Sequence, residues 1–186
     1  MTESRTSRPW ARDLLHFWFH ELRPEQWFER NDTVDDELRR RFGGQLDRLS
    51  RQPPPTFLTD PQTARAAVLL FDQCPRNLFR DSARAFATDA LARTITRGAI
   101  ARGWDRRLAK SERQFLCMPL MHSEAIADQR LSLRLYAALG DAFILRFARA
   151  HYRMVARFGR FQHRNQVLGR GSTRAEERAV AAGNHW

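Results

Sequence analysis

The stretch from Asp141 to Phe158 reads DAFILRFARAHYRMVARF and predicts an amphipathic α-helix. At about 100° per residue, one face of this helix collects the rings of Phe143 and Phe147 together with His151. Arginine occupies a separate arc, at positions Arg146, Arg149, Arg153 and Arg157. We therefore expect these arginines to face solvent and the ring-bearing face to pack inward. Asp141 is the predicted N-cap, and a glycine follows Phe158 as the predicted C-cap.

Apolar side chains recur with the same helical period over nearly the whole chain, without a convincing alternation of period two. Asn31 or Asp32, Asp60, Asp81 or Ser82, and Thr173 with Glu176 are predicted helix starts. The segment 52–59 contains three consecutive prolines and is predicted to be an extended linker. We expect an all-α chain of about eight helices, packed as antiparallel helical hairpins in a single domain over residues 1–186.

The composition of the chain excludes several classes of protein. Its 186 residues are 42% hydrophobic and include only 2 cysteines, which argues against a disordered chain and against a disulfide scaffold. No apolar run approaches the roughly 20 residues of a membrane span. We expect a soluble, cytoplasmic protein with reduced thiols and no membrane partner.

Positive charge is concentrated in the second half of the chain. The net charge is +11, and residues 94–186 contain 17 basic but only 7 acidic side chains. No acidic residue lies between Asp141 and Glu176. This asymmetry is typical of a protein with an anionic partner, or of a solvated arginine-rich face.

A first polar cluster follows the predicted third helix and consists of Asp72, Arg76, Asn77 and Arg80. Asp72 continues the buried face of that helix, so its carboxylate needs a partner, for which Arg76 and Arg80 are candidates. Two interpretations stand side by side. The cluster is a buried ion pair that holds a turn, or it is an arginine fork that Asp72 aims at a ligand carboxylate or phosphate.

A second polar cluster flanks a predicted helix N-terminus at Ser123. His122 and Glu124 lie on either side of this serine, at a position that suits anion binding. Plain capping, with Glu124 complementing the helix dipole, is the alternative.

A third polar cluster follows Gly159 and contains Arg160, His163, Arg164 and Asn165. Basic side chains interleaved with aromatic rings suit an anionic ligand, although cations at a helix C-terminus are also expected on structural grounds. His151 is either a core histidine with a satisfied hydrogen bond or a ligand-binding residue.

The sequence contains no spacing diagnostic of a metal site and no cofactor-binding fingerprint. We therefore predict no metal and no cofactor. Cys74 and Cys117 have apolar neighbours, and the sequence shows no base that would activate them. If the protein is an enzyme, His122 or His163 is the candidate general acid–base group, since a neutral imidazole is available near pH 7.

Several short motifs, in order along nearly the whole chain, resemble a bacterial family known as domain-of-unknown-function family 924. These motifs are Phe17-Trp18-Phe19, Trp27-Phe28, Asp72-Gln73, Pro75-Arg76-Asn77, Phe79-Arg80, Ala85-Phe86 with Asp89, Met121-His122-Ser123-Glu124, Arg157-Phe158-Gly159-Arg160-Phe161, His163-Arg164-Asn165, Leu168-Gly169-Arg170 and Ser172-Thr173. The resemblance implies an all-helical fold similar to tetratricopeptide-like arrays. It implies no activity, substrate or cofactor.

Three hypotheses for function follow. The first is that the three clusters meet in one pocket that binds a small anionic ligand, with or without catalysis. The second is a helical scaffold for a protein partner, in which the clusters are structural pins. The third, a nucleic-acid binder using the arginines of the 141–158 helix, ranks last because we expect that arginine face to lack aromatic rings.

Overall fold

The computed structural model describes residues 8–183, and within that range it contains helices and turns without a β-strand. The α-helices are α1 (Pro9–His16), α2 (Asp32–Leu49), α3 (Pro61–Val68), α4 (Cys74–Leu78), α5 (Asp89–Ala101), α6 (Lys110–Met121), α7 (Ile126–Ala137), α8 (Ala142–Phe158) and α9 (Arg174–Ala181). The prediction of an all-helical chain is confirmed.

Wider and tighter helical turns extend these elements. A π turn at Phe17–Glu21 continues α1, and a second π turn at Leu69–Gln73 joins α3 directly to α4. Short 3₁₀ turns form at Pro24–Trp27, Pro54–Phe57, Ala83–Phe86 and Gln162–Arg164. Because π turns are rare and often accompany functional sites, the Leu69–Gln73 turn marks the segment that carries the first cluster.

Most of the predicted helix caps are confirmed, but the N-terminus predicted at Ser123 is wrong, because α7 begins at Ile126 with Ala125 as its N-cap and without a side-chain cap bond. Asn31 accepts a hydrogen bond from the Val34 amide, and Asp60 and Asp141 do the same for α3 and α8. Thr173 forms its reciprocal capping box at the start of α9, and Gly159 ends α8 in the left-handed conformation at φ 72°. The helix ends were therefore readable from local chemistry.

Two predicted segments differ from the structure. The proline-rich linker is not fully extended, because Pro54–Phe57 forms a 3₁₀ turn that buries the Phe57 ring completely. The helix expected to begin at Asp81 or Ser82 begins only at Asp89, and Asp81 has a left-handed φ of 59°. A residue in that conformation cannot open an α-helix.

The chain divides into two compact units. Within the described residues, unit 1 comprises 8–80 and Arg84–Leu116, and unit 2 comprises Asp81–Ala83 and 117–183. In unit 1, α3 packs against α1 and α5, while α4 packs against α2. The aromatic core of this unit includes Trp18 edge-on to Phe115, at 5.5 Å between ring centroids, and Phe57 edge-on to Phe71 at 5.1 Å.

Unit 2 is built on the hairpin of α7 and α8, which pack closely against each other. Met154, Val155 and Phe161 form a buried apolar cluster against which Phe158 packs. His151 faces inward as predicted, and the four predicted arginines of α8 are exposed. The expectation that Phe143 and Phe147 also face inward is wrong, because both rings are exposed.

No helix within residues 8–183 combines the length and the apolar character that a bilayer-crossing segment needs.

Candidate functional site

The first cluster lies in unit 1, at the π turn between α3 and α4. Asp72 is fully buried there and accepts a hydrogen bond from Gln73 Nε2 at 2.5 Å. Arg76 Nη1 lies 3.4 Å from Asp72 Oδ1, and the same guanidinium makes two bonds of 2.9 and 3.0 Å to Asp89. Burial alone would lower the pKa of Arg76, but the charges of Asp72 and Asp89 raise it above its ordinary value. Arg76 therefore keeps its positive charge, and two carboxylates of the protein balance that charge.

Arg80 differs from the expectation that it pairs with Asp72. Its Nε and Nη2 donate to the two oxygens of Asp35 on α2 at 2.8 and 2.9 Å, and Nη2 also donates to Asn77 Oδ1 at 2.8 Å. Asp35 is buried and forms the other half of this pair. The fork of Arg80 thus binds a carboxylate of the protein itself.

A surface cleft of about 400 Å³ lies beside this pair in unit 1. The cleft is lined by both basic and acidic side chains. Arg30, Asp32, Asp36 and Arg39 lie around the Asp35–Arg80 pair. Arg39 is itself bonded to Asp36 at 2.8 Å. Because the carboxylates balance the guanidinium groups, this cleft does not attract an anion by its net charge.

Cys74, next to the buried Asp72, is an inert thiol. Burial raises the pKa of Cys74 to about 12. A thiol with such a pKa is not ionised near neutral pH and is not a nucleophile.

The second and third clusters both lie in unit 2, where they share several contacts. Glu124 Oε1 accepts from the Phe161 amide at 2.8 Å, and both Glu124 oxygens accept from Arg170, at 2.8 and 3.0 Å. Arg170 also donates to the Phe161 carbonyl at 3.1 Å. Burial alone would raise the pKa of Glu124, but the bonds from Arg170 and Phe161 lower it below its ordinary value. Glu124 therefore ties the segment after α8 to the loop before α7.

Arg160 pairs with Glu176 at the start of α9. Its Nε and Nη2 donate to the carboxylate at 2.7 and 3.0 Å, and Nη2 also donates to the Gly171 carbonyl at 2.9 Å. Hydrogen bonds from Arg160 and from the Thr173 amide lower the pKa of Glu176 to about 2. Arg160 therefore holds the start of α9 close to the end of α8.

Asn165 closes the loop that follows. It is buried, its Nδ2 donates to Ser172 Oγ at 3.0 Å, and its carbonyl accepts from the Arg170 amide at 2.8 Å. These bonds fix the path of the chain between Gln162 and Ser172.

Two imidazoles lie against the buried Phe161 ring and a third lies against one of them, and we call His122, His151 and His163 the histidine cluster. The His151 and His163 rings lie 5.4 and 5.8 Å from Phe161 between centroids, and His122 lies 6.1 Å from His151. Arg164 places its guanidinium carbon 4.5 Å from the centre of the Phe161 ring and donates to the His122 carbonyl at 3.1 Å. Residues that are 42 positions apart in sequence thus become neighbours.

The electrostatic environment of His151 is positive. His151 is only 2% exposed, and its Nδ1 lies 2.9 Å from the Phe147 carbonyl. Burial lowers the pKa of His151 well below 6.5, and the charges of His122, Arg164 and His163 lower it further. The ring is therefore neutral at pH 7, and the Phe147 contact makes Nδ1 its donor and Nε2 its acceptor.

Within residues 8–183, no group of three or more His, Cys, Asp or Glu side chains has the geometry to hold a metal ion. The histidine cluster is thus a set of ring contacts without convergent metal ligands.

Several ion pairs of the site residues were not found by sequence reasoning. Asp35, Glu176 and Arg170 supply the opposite charges that hold Arg80, Arg160 and Glu124. Arg170 and Asp89 lie within motifs that carry the family resemblance, which was the available signal. Nothing local to Asp35 indicates a partner 45 positions away.

Comparison with known proteins identifies the family. A family model described as bacterial protein of unknown function, DUF924, matches residues 14–184. The chain belongs to the DUF924 family. A solved structure of a protein of unknown function from Agrobacterium tumefaciens is similar to this DUF924 chain, with a TM-score of 0.88 and 35% sequence identity. The match covers 93% of this chain and 97% of that one. A search of the curated proteins found no match.

Proposed function

We propose that unit 2 binds a small anion, a carboxylate or a phosphate, at the histidine cluster. The observation that carries this proposal is that His151, His163 and Arg164 lie against Phe161, with His122 beside His151. Imidazolium and guanidinium groups are the side chains that recognise carboxylate and phosphate.

Local charge supports the same proposal. The Glu124 carboxylate, which accepts from the Phe161 amide, is also bound by Arg170. The lowered pKa of His151 has the positive charges of its neighbours among its causes, after burial. An anion placed among these side chains would relieve their mutual repulsion and raise the pKa values of the histidines.

The proposal keeps His122 and His163 as the candidate general acid–base groups. Both are partly exposed, whereas His151 is buried, so a ligand reaches them first. Arg160 and Asn165 support the site by holding the chain around it, and the structure gives each of them bonds within the protein.

The paired arginines of the first cluster favour the alternative interpretation for that segment. Arg76 and Arg80 each hold a carboxylate of the protein in bidentate geometry, as structural pins do. The anion site proposed here does not depend on these two residues. Two expectations from the sequence stay predictions. One is a single pocket shared by all three clusters, and the other is a protein partner.

The experiment is a thermal-unfolding series in inorganic phosphate and in small dicarboxylates, on the wild type and on the variants His122→Gln and His163→Gln. We expect the wild-type Tm to rise with anion concentration, as binding to the folded state requires, and each variant to lose that rise. Arg174→Gln is the matched control, because Arg174 is exposed in the same unit and outside the cluster.

Isothermal titration at pH 6 and pH 8 then separates site binding from general salt effects. Binding that weakens as the imidazoles lose their protons supports the proposal. An equal Tm response in the wild type and in both histidine variants would refute it.

A further inference from the structure

Two phenylalanine rings stand exposed at the N-terminal end of α8, and we call Phe143 and Phe147 the phenylalanine pair. Their side chains are 62% and 40% exposed, and their centroids lie 5.1 Å apart in an edge-to-face arrangement. The core-facing side of α8 is formed instead by Ala148, His151, Met154 and Val155. The pair therefore contributes little to the core of unit 2.

Arginines continue this surface along the helix, and we call Arg146, Arg149, Arg153 and Arg157 the arginine stripe. Arg146 lies over both rings, with its guanidinium carbon 5.0 and 5.8 Å from their centroids. All four arginines are exposed and span about 16 Å of helix at a rise of about 1.5 Å per residue. The 34 residues that separate Asp141 from Glu176 contain no carboxylate to neutralise them within the segment.

We propose that this face of α8 binds single-stranded nucleic acid. Binding without sequence preference combines cations that follow the phosphates with aromatic rings on which bases stack. The arginine stripe supplies the first, and the phenylalanine pair, with Arg146 beside it, supplies the second. Arginine also stacks on bases through its planar guanidinium group, which lysine lacks, and only one lysine occurs in the chain.

The distribution of apolar side chains favours nucleic acid over a membrane surface. A helix that lies in a bilayer interface inserts a continuous apolar face. In α8 that face is already used by the protein's own core, and the two exposed rings stand at one end. The reason for placing nucleic-acid binding last, an arginine face without aromatic rings, does not apply to this surface.

The proposal is independent of anion binding at the histidine cluster, since it rests on different residues of α8, all of them exposed. A titration of a labelled oligothymidine of about 12 nucleotides, followed by fluorescence anisotropy at several salt concentrations, tests it directly. We expect the double variant Phe143→Ala/Phe147→Ala to weaken binding by about 5- to 100-fold without changing the salt slope.

The double variant Arg153→Gln/Arg157→Gln should reduce the slope of log K against log salt by about 1.4, or about 0.7 for each lost phosphate contact. The matched control is Arg130→Gln/Arg134→Gln, which removes two exposed arginines from α7 in the same unit. We expect this control to leave both the affinity and the slope close to those of the wild type. A duplex of the same length should bind more weakly, because paired bases cannot stack on the rings.

Three outcomes would overturn the proposal. The first is no retention of the oligonucleotide at about 50 mM salt, where phosphate contacts are strong. The second is binding that the phenylalanine substitutions leave unchanged, or that the α7 control weakens equally. The third is sedimentation of the protein with phosphatidylserine vesicles, lost in the phenylalanine variant, without oligonucleotide binding. That result would assign the surface to a membrane.

Discussion

Replacing Glu124 by alanine should destabilise unit 2 more than any exposed charge substitution. The carboxylate accepts three hydrogen bonds, two from Arg170 and one from the Phe161 amide. Hydrogen bonds to charged groups contribute about 1.5–3 kcal/mol each, and breaking a buried pair costs about 3–5 kcal/mol. The side chains of Glu124 and Arg170 are 29% and 24% exposed, so water replaces part of what is lost. We therefore expect a loss of about 3 kcal/mol from the free energy of unfolding.

The measurement is urea unfolding followed by far-ultraviolet circular dichroism, together with hydrogen exchange at the Phe161 amide. That amide should lose its protection in Glu124→Ala and keep part of it in Glu124→Gln, which retains an acceptor oxygen. A double-mutant cycle with Arg170→Ala should give a coupling energy of about 1–3 kcal/mol.

Glu37→Ala is the matched control, because Glu37 pairs with Arg40 on the exposed surface of α2. Exposed pairs of this kind contribute little, so its unfolding curve should overlay the wild type. A loss below about 0.5 kcal/mol in Glu124→Ala, with Phe161 still protected, would show that Glu124 does not hold this segment.

Three further changes have directions fixed by the structure. Asp35→Ala should lower the stability of unit 1 by about 3 kcal/mol, because it leaves Arg80 without its buried partner; the exposed neighbour Asp36, changed to alanine in a parallel urea titration, should cost less than about 0.5 kcal/mol. Glu176, whose pKa is about 2 when folded and 4.5 ordinarily, contributes stability above pH 4.5 that is lost as pH falls toward 2. Acid unfolding of Glu176→Gln should show a smaller change over that interval, and an unchanged curve would contradict the assignment. His151, whose pKa is lowered below 6.5, makes unfolding easier as pH falls below 6.5, since the unfolded chain takes up a proton that the folded protein does not. NMR titration of its ring should therefore show a neutral imidazole at pH 6, and a protonated ring at that pH would refute the burial argument.

Sequence reasoning predicted the helical class and most of the caps, because both depend on residues close together in the chain. Asp60 and Asp141 satisfy amides two or three positions away, and Gly159 supplies a conformation that other residues resist. The motif that places His122 before a helix and His163 after one was also visible. Their approach to the buried rings of His151 and Phe161 was not, since it depends on how the end of α6, α8 and the following loop fold together.

The ion pairs were the least predictable part of the candidate sites. Arg80 has carboxylates at Asp72 and Asp81 close by in sequence, yet it binds Asp35 on another helix. Local spacing selects candidates within one or two turns, whereas packing selects the partner. The same limitation explains why the phenylalanine pair was predicted to be buried. The helical period gives the relative directions of side chains around α8, but it does not show how far along α8 the neighbouring elements extend.

The π turn at Leu69–Gln73 absorbs one residue without changing the register of the helices on either side of it. A π turn holds one residue more than an α turn, so deleting a residue there would restore ordinary helical geometry. The side chains beyond the deletion would keep their direction relative to α3, because the chain completes one turn in both cases. The bonds from Arg76 to Asp89 should therefore survive a one-residue deletion between Leu69 and Phe71. An alignment that opens a one-residue gap within this turn would still pair residues that point in the same direction.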